Sequence, residues 1–306
     1  MKLPIPRRGF LRTAGSAVLA GAGLSLSTEP RGNAAPAAST PSPRLFVGCC
    51  AYSFRKYLAS GRMTMEDFIL KGVELGLHGV DITGYWLKSA EPAYLTGLRH
   101  LAFKNGMPFS GAACGATMVQ AEKSKRDAVL EEIKKWVDTT EILGASHLRI
   151  FAGKLPKNAT AEQGIAWTVE VMKPACDYAA RKGVTLGVET HEGITQRADA
   201  TLEIIHRVDS PYAGINLDIT NFLADSDEDQ YKQIEACVPF ATHTHIRDRF
   251  GNSQHPVDLE RVWQIFARGG YKGYMSAEYE GEEDSMTAVP RLIEQIKTLC
   301  RKYSST

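Results

Sequence analysis

The sequence predicts a single parallel (β/α)₈ barrel over residues 44–304 of a 306-residue chain. Three observations lead there. From Leu45 onward, short β-rich runs ending in polar or Gly residues alternate with stretches of helical period. Eight such units follow one another in about 260 residues, the number a closed barrel needs. The first run leads into Ala51-Tyr52-Ser53-Phe54-Arg55, whereas an open doubly wound sheet would usually place a Gly-rich phosphate loop there.

In chain order the predicted strands are Leu45–Ala51, Gly79–Ile82, Phe109–Ala113, His147–Phe151, Thr185–Glu189, Ala213–Asp218, Ala241–Ile246 and Tyr274–Glu278. Amphipathic periodicity marks helices at Thr64–Leu75, Lys125–Leu143, Ile165–Lys182, Ala198–Val208, Asp229–Cys237 and Leu259–Arg268. Gly76, Gly144, Gly183 and Gly269 follow four of them, where a left-handed C-cap belongs.

Composition narrows the function classes. Hydrophobic residues at 43% and charged residues at 23% are those of a globular protein with a sizeable core. The formal charge of +1 is unevenly spread. Residues 1–37 hold five basic residues (Lys2, Arg7, Arg8, Arg12, Arg31) against Glu29 alone, which leaves the body at about −3. Such a body has no global attraction for phosphate backbones, so nucleic acid is not an expected partner. The six cysteines show neither C-x-x-C nor zinc-ribbon spacing and read mostly as small core residues.

Residues 1–37 read as an export signal: a basic head, a weakly apolar Ala/Gly-rich run from Thr13 to Leu26, and a small-residue exit at Ala35-Pro36-Ala37. Arg7-Arg8 followed by Phe10-Leu11 resembles the twin-arginine signal, with Pro6 where Ser or Thr is usual. The run is too short and Gly-rich for a stable membrane anchor. Residues 38–43 would be a flexible leader, and the mature protein periplasmic or extracellular. Lys at both Arg7 and Arg8 is then expected to leave the precursor inside the cell. Unchanged export of that variant in a fractionation experiment would point to another route.

Four residues at the C-terminal ends of the last four strands carry the chemistry: Glu189, Asp218, His245 and Glu278. They are spaced by 29, 27 and 33 residues, each about one βα unit. In a barrel this puts them side by side at the mouth, where such folds build their sites. Gathered carboxylates repel one another unless a cation lies between them. Three carboxylates and an imidazole suit one divalent ion: Mn²⁺, Mg²⁺, Co²⁺ or Zn²⁺.

Further stretches narrow the reading: Tyr52-Ser53-Phe54-Arg55, Leu143-Gly144-Ala145 with Arg149-Ile150-Phe151-Ala152-Gly153, Leu217-Asp218 with Asn221-Phe222, and Gly273-Tyr274 leading to Ser276-Ala277-Glu278-Tyr279-Glu280. With these, the sequence resembles the xylose isomerase-like TIM barrel superfamily of sugar phosphate isomerases, epimerases and related enzymes, over essentially all of residues 44–302. The resemblance implies that Glu189, Asp218, His245 and Glu278 hold the metal. It also implies that Glu189 and Glu278 exchange a proton with opposite faces of a carbon beside a carbonyl. Asn221 stands where the epimerases often have His, and Gly251 where they have Arg, with Arg247 and Arg249 nearby. A nuclease of the superfamily needs extra His ligands, one of which Asn221 removes.

The expected activity is metal-dependent isomerisation or epimerisation of a sugar or related polyol through a metal-stabilised enediolate. Two alternatives stand beside it: a lyase or dehydratase of a keto-sugar or keto-glycoside on the same metal site, and a non-catalytic exported sugar-binding protein. Monomer and oligomer are both compatible with the sequence. His191 and His243 share strand parity with Glu189 and His245; each could bind a substrate hydroxyl or act as acid/base, or equally orient a metal ligand from behind, and Arg247, Lys154 and Tyr52 are further candidates for substrate contact. Tyr52, Phe54 and Trp86 form either an apolar wall against a sugar face or part of the aromatic core. Asn221→Ala is expected to leave the metal in place.

Overall fold

The computed structural model describes residues 43–304. The predicted export signal and nearly all of the leader lie outside them. Eight strands close into one parallel barrel in sequence order: β1 Arg44–Cys50, β2 Gly79–Thr83, β3 Phe109–Thr117, β4 His147–Phe151, β5 Thr185–Glu189, β6 Ala213–Asp218, β7 Ala241–Ile246 and β8 Lys272–Ala277. The helices are α1 Arg55–Ala59, α2 Met65–Glu74, α3 Pro92–Lys104, α4 Lys123–Leu143, α5 Ala161–Ala180, α6 Ala198–Val208, α7 Asp227–Cys237, α8 Leu259–Arg268 and α9 Ser285–Tyr303. Among the described residues no helix is long and apolar enough to cross a membrane.

Strand periodicity divides the barrel into two environments. Val80, Ile82, Leu148, Ile150, Leu186, Val188, Ile215 and Leu217 alternate along their strands and are fully buried in one hydrophobic cluster with the helices. The intervening positions carry Asp81, Arg149, Glu189, Asn216 and Asp218, also buried. Lower in the barrel Tyr274 stacks on His243 at 6.1 Å between ring centroids, and His243 on His147 at 5.0 Å. Gly187 makes room for this layer, because a Cβ there would lie 2.4 Å from His147 Nε2.

Local signals set the helix ends. Thr64 and Asp67 cap α2 reciprocally, and Thr160 and Gln163 do the same for α5; each N-cap of this kind contributes about 1 kcal/mol. Gly144 ends α4 at φ 81°, a conformation disfavoured for any residue with a Cβ. After α8 the left-handed residue is Gly270, at φ 67°, while Gly269 keeps helical angles, one position short of the sequence expectation.

Two further differences bear on the site. Strand β3 runs four residues beyond its predicted end, through a register irregularity opposite β4. Strand β8 ends at Ala277, so Glu278 sits just past the ladder, with its N–H donated to Ile246 O at 2.9 Å. All six cysteines are buried with free thiols.

Candidate metal centre

Register brings the four sequence-predicted ligands together. Glu189 pairs with Asn216, and Asp218 lies two residues further along the same face of β6. Asp218 pairs with His245, and His245 with Ser276, two residues before Glu278. All four face the axis at the mouth, none more than 3% exposed. One donor atom from each falls within 4.8 Å of the others. His245 Nδ1 lies 3.0 Å from Glu189 Oε1 and 3.4 Å from Glu278 Oε1.

Two arginines offset the charge of the carboxylates. Arg149, buried on β4, places Nε 3.0 Å from Glu189 Oε2 and donates to Cys114 O at 3.0 Å. Arg247, two residues past His245, sets Nη2 2.7 Å from Asp218 Oδ2 and 2.9 Å from Glu278 Oε2, and Nη1 2.9 Å from Glu280. Asp218 also accepts from Thr220 N–H and Oγ1–H on Oδ1, and from Asn221 Nδ2 on Oδ2, each at 2.8 Å.

The titration of these groups follows from burial against charge. Burial alone would raise Glu189, but Arg149 and His245 outweigh it and hold its carboxyl below the ordinary value. Glu278 is held well below by His245 and Arg247 in the same way, against its burial. Asp218 goes the other way: burial, reinforced by Glu278 and Glu189 and only partly offset by Arg247, pushes it up to about 7. Burial would lower His245, yet Glu278, Cys50 and Glu189 keep it well above a normal imidazole.

The residues fit a divalent ion. The donors are hard or borderline, and three buried carboxylates converge with one imidazole within 4.8 Å. Arg247 is the competitor, because its guanidinium already occupies Asp218 Oδ2 and Glu278 Oε2. Replacing Arg247 with Met is therefore expected to destabilise the metal-free protein by about 3 kcal/mol. Added Mn²⁺ should then restore more stability than in the wild type. Melting curves in EDTA and in Mn²⁺ check this; equal stabilisation of both proteins would refute it.

The other sequence candidates scatter in depth. His191 lies against the Phe151 ring at 4.6 Å and borders a mouth cavity of about 370 Å³ with Asn221, Arg247, Arg249, Asn252 and Glu280, a size suited to small molecules. Lys154 pairs with Glu192 at 2.7 Å on the exposed rim. Tyr52 packs on Trp86 at 5.7 Å. For two candidates the structure favours the second of the two readings. His243 is 1% exposed beneath His245, with Nε2 on Ser110 Oγ at 3.2 Å, so it is a buried support and not a substrate contact. Phe54 is fully buried against Phe68 at 6.0 Å, so it belongs to the core and not to a sugar-facing wall.

Three residues were given no role by the sequence. Asp81 on β2 places Oδ2 3.0 Å from His245 Nε2. Arg149 pairs with Glu189, and Glu280 with Arg247. A charge inside an otherwise apolar strand was the available signal in Gly79-Val80-Asp81-Ile82 and His147-Leu148-Arg149-Ile150. Asn221 also turns out to support Asp218, so Asn221→Ala should weaken metal binding, where the sequence suggested no effect.

A model of the xylose isomerase-like TIM barrel family matches residues 70–301. No curated protein sequence matches the chain. Among solved structures, a D-allulose 3-epimerase from Methylomonas sp. aligns with a TM-score of 0.68 at 20% identity, over 84% of this chain and 98% of that one. A probable 3-DHS dehydratase, AsbF, from Bacillus anthracis gives 0.64 at 18%, over 83% and 98%. The IOLI protein, solved with a zinc atom bound, gives 0.67 at 16%, over 85% and 100%. At these identities the likeness is one of fold.

Proposed function

As the chain belongs to the xylose isomerase-like TIM barrel family, we propose that it is a metal-dependent isomerase or epimerase of a sugar or related polyol. One observation carries this reading: Glu189 and Glu278 converge on one centre, 3.0 and 3.4 Å from His245 Nδ1, beside a polar cavity. The fold shared with a D-allulose 3-epimerase and a probable dehydratase supports proton-transfer chemistry of this kind.

A divalent ion held by Glu189, Asp218, His245 and Glu278 would act as a Lewis acid on a sugar carbonyl and its neighbouring hydroxyl. The chain's own residues do the rest. Glu189 and Glu278 stay ionised at neutral pH and can each accept a proton from the carbon beside the carbonyl. Arg149 fixes Glu189 from behind, while Arg247 stands between Glu278 and the cavity, within reach of a substrate oxygen. Delivery of a different proton to the same carbon from the opposite face, by the second glutamate once it has taken one up from solvent, inverts it. Return to the former carbonyl carbon exchanges aldose and ketose. Departure of a β-substituent instead would make the enzyme a lyase. Action outside the cytoplasm belongs to the same proposal and rests on Arg7 and Arg8.

Incubation of the metal-loaded protein in deuterated water with ketoses, aldoses and 3-keto-glycosides is the test. Solvent deuterium is expected on the carbon beside the carbonyl of the isomerised product. Unsaturated products would shift the assignment to a lyase. Binding without any C–H exchange would leave a sugar-binding protein and overturn the enzymatic reading.

A further inference from the structure

We propose that Asp81 is the positioning residue that decides which nitrogen of His245 faces the metal, holding the proton on Nε2 so that Nδ1 is the nitrogen offered to the ion. The proposal rests on the reading of Glu189, Asp218, His245 and Glu278 as a metal centre. The two sides of the His245 ring are chemically different. Nδ1 lies toward Glu189 Oε1 and Glu278 Oε1, at 3.0 and 3.4 Å, the oxygens that could share an ion with it. Nε2 points the other way, to Asp81 Oδ2 at 3.0 Å.

Asp81 has little other reason to be there. It is 1% exposed, in the middle of β2, and its Oδ1 has no hydrogen-bond partner. The next polar atom facing it, His243 Nδ1, is 4.0 Å from Oδ2 and likewise without a partner. A buried carboxylate with one direct partner is costly unless that partner depends on it. A carboxylate on the far nitrogen of a metal-bound imidazole fixes the ring's orientation and tautomer and raises its basicity as a ligand. Cys50 lies on the same side as Asp81, with its thiol 3.5 Å from Thr83 Oγ1.

The experiment uses the full chain loaded with Zn²⁺, a diamagnetic probe, and long-range ¹H–¹⁵N spectra of the histidine rings. In the wild type His245 should show a protonated Nε2 and a metal-bound Nδ1. Zinc on Nε2 would overturn the proposal, whatever the variants do. Asp81→Asn, which keeps the shape, should lower Zn²⁺ affinity about 10- to 100-fold and broaden or split the His245 ring signals. Unchanged affinity with an unchanged ring signature in a folded Asp81→Asn protein would also overturn it. Failure of the wild type to bind Zn²⁺, Mn²⁺ or Co²⁺ would instead refute the metal centre itself.

Discussion

Glutamine in place of Glu278 is expected to reduce turnover by about 10²- to 10⁴-fold, the usual contribution of a positioned general base. The substitution keeps the size of the side chain and removes its charge and its capacity to accept the proton. Structural damage should be small, because Arg247 keeps Asp218 at 2.7 Å and Glu280 at 2.9 Å as partners. Glu189→Gln should cost as much activity and more stability. Arg149 is 3% exposed, and Glu189 is its one carboxylate partner within salt-bridge distance among the described residues. Removing one side of such a buried pair costs about 3–5 kcal/mol. Steady-state kinetics and melting curves on both variants separate the two effects. If both kept full activity with metal in place, neither glutamate would be the base. Equal melting temperatures for the two would contradict the asymmetry of their arginine partners.

What could be read from the chain, and what could not, divides along a physical line. Glu189, Asp218 and His245 were legible because each lies at the end of a short β-rich run and the runs recur at one βα unit. Strand parity then leaves no choice about which face they take. Asp81 and Arg149 sit inside strands, and their meaning lies in partners 164 and 40 residues away, Asp81 with His245 and Arg149 with Glu189. Periodicity carries no record of such pairings. His243 shows the reverse limit: parity gave its face, but depth along the axis decides whether a residue meets the cavity or the floor. Helices α1, α3 and α9 were not singled out; Gly97 and Pro290 lie inside the last two, although α2 and α5 were legible in spite of Gly72 and Pro174.

Asp218→Ala is expected to abolish metal retention, with an effect larger than the roughly 10- to 100-fold that loss of an outer partner such as Asn221 costs. Asp218 is the most heavily bonded of the four ligands, accepting from Thr220 twice, from Asn221 and from Arg247. Its carboxylate is therefore held in one orientation, and no other side chain can replace it. The variant should also change how binding depends on pH. In the metal-free protein Asp218 is pushed up to about 7, chiefly by burial. His245 sits well above its ordinary value, where Glu278, Cys50 and Glu189 outweigh burial. A ligand must be deprotonated to bind, so acid competes with the metal at both positions, while Glu189 and Glu278 are already ionised. Below about pH 7 binding releases two protons and affinity should climb about 100-fold per pH unit; above it, one proton and about 10-fold. With alanine at 218 the steeper limb should fall to the slope for one proton, at a much lower affinity. Calorimetric titration with Mn²⁺ in buffers of different ionisation enthalpy counts these protons directly. A wild-type affinity that does not change between pH 6 and 8 would show that neither Asp218 nor His245 holds a proton that binding must displace in that range.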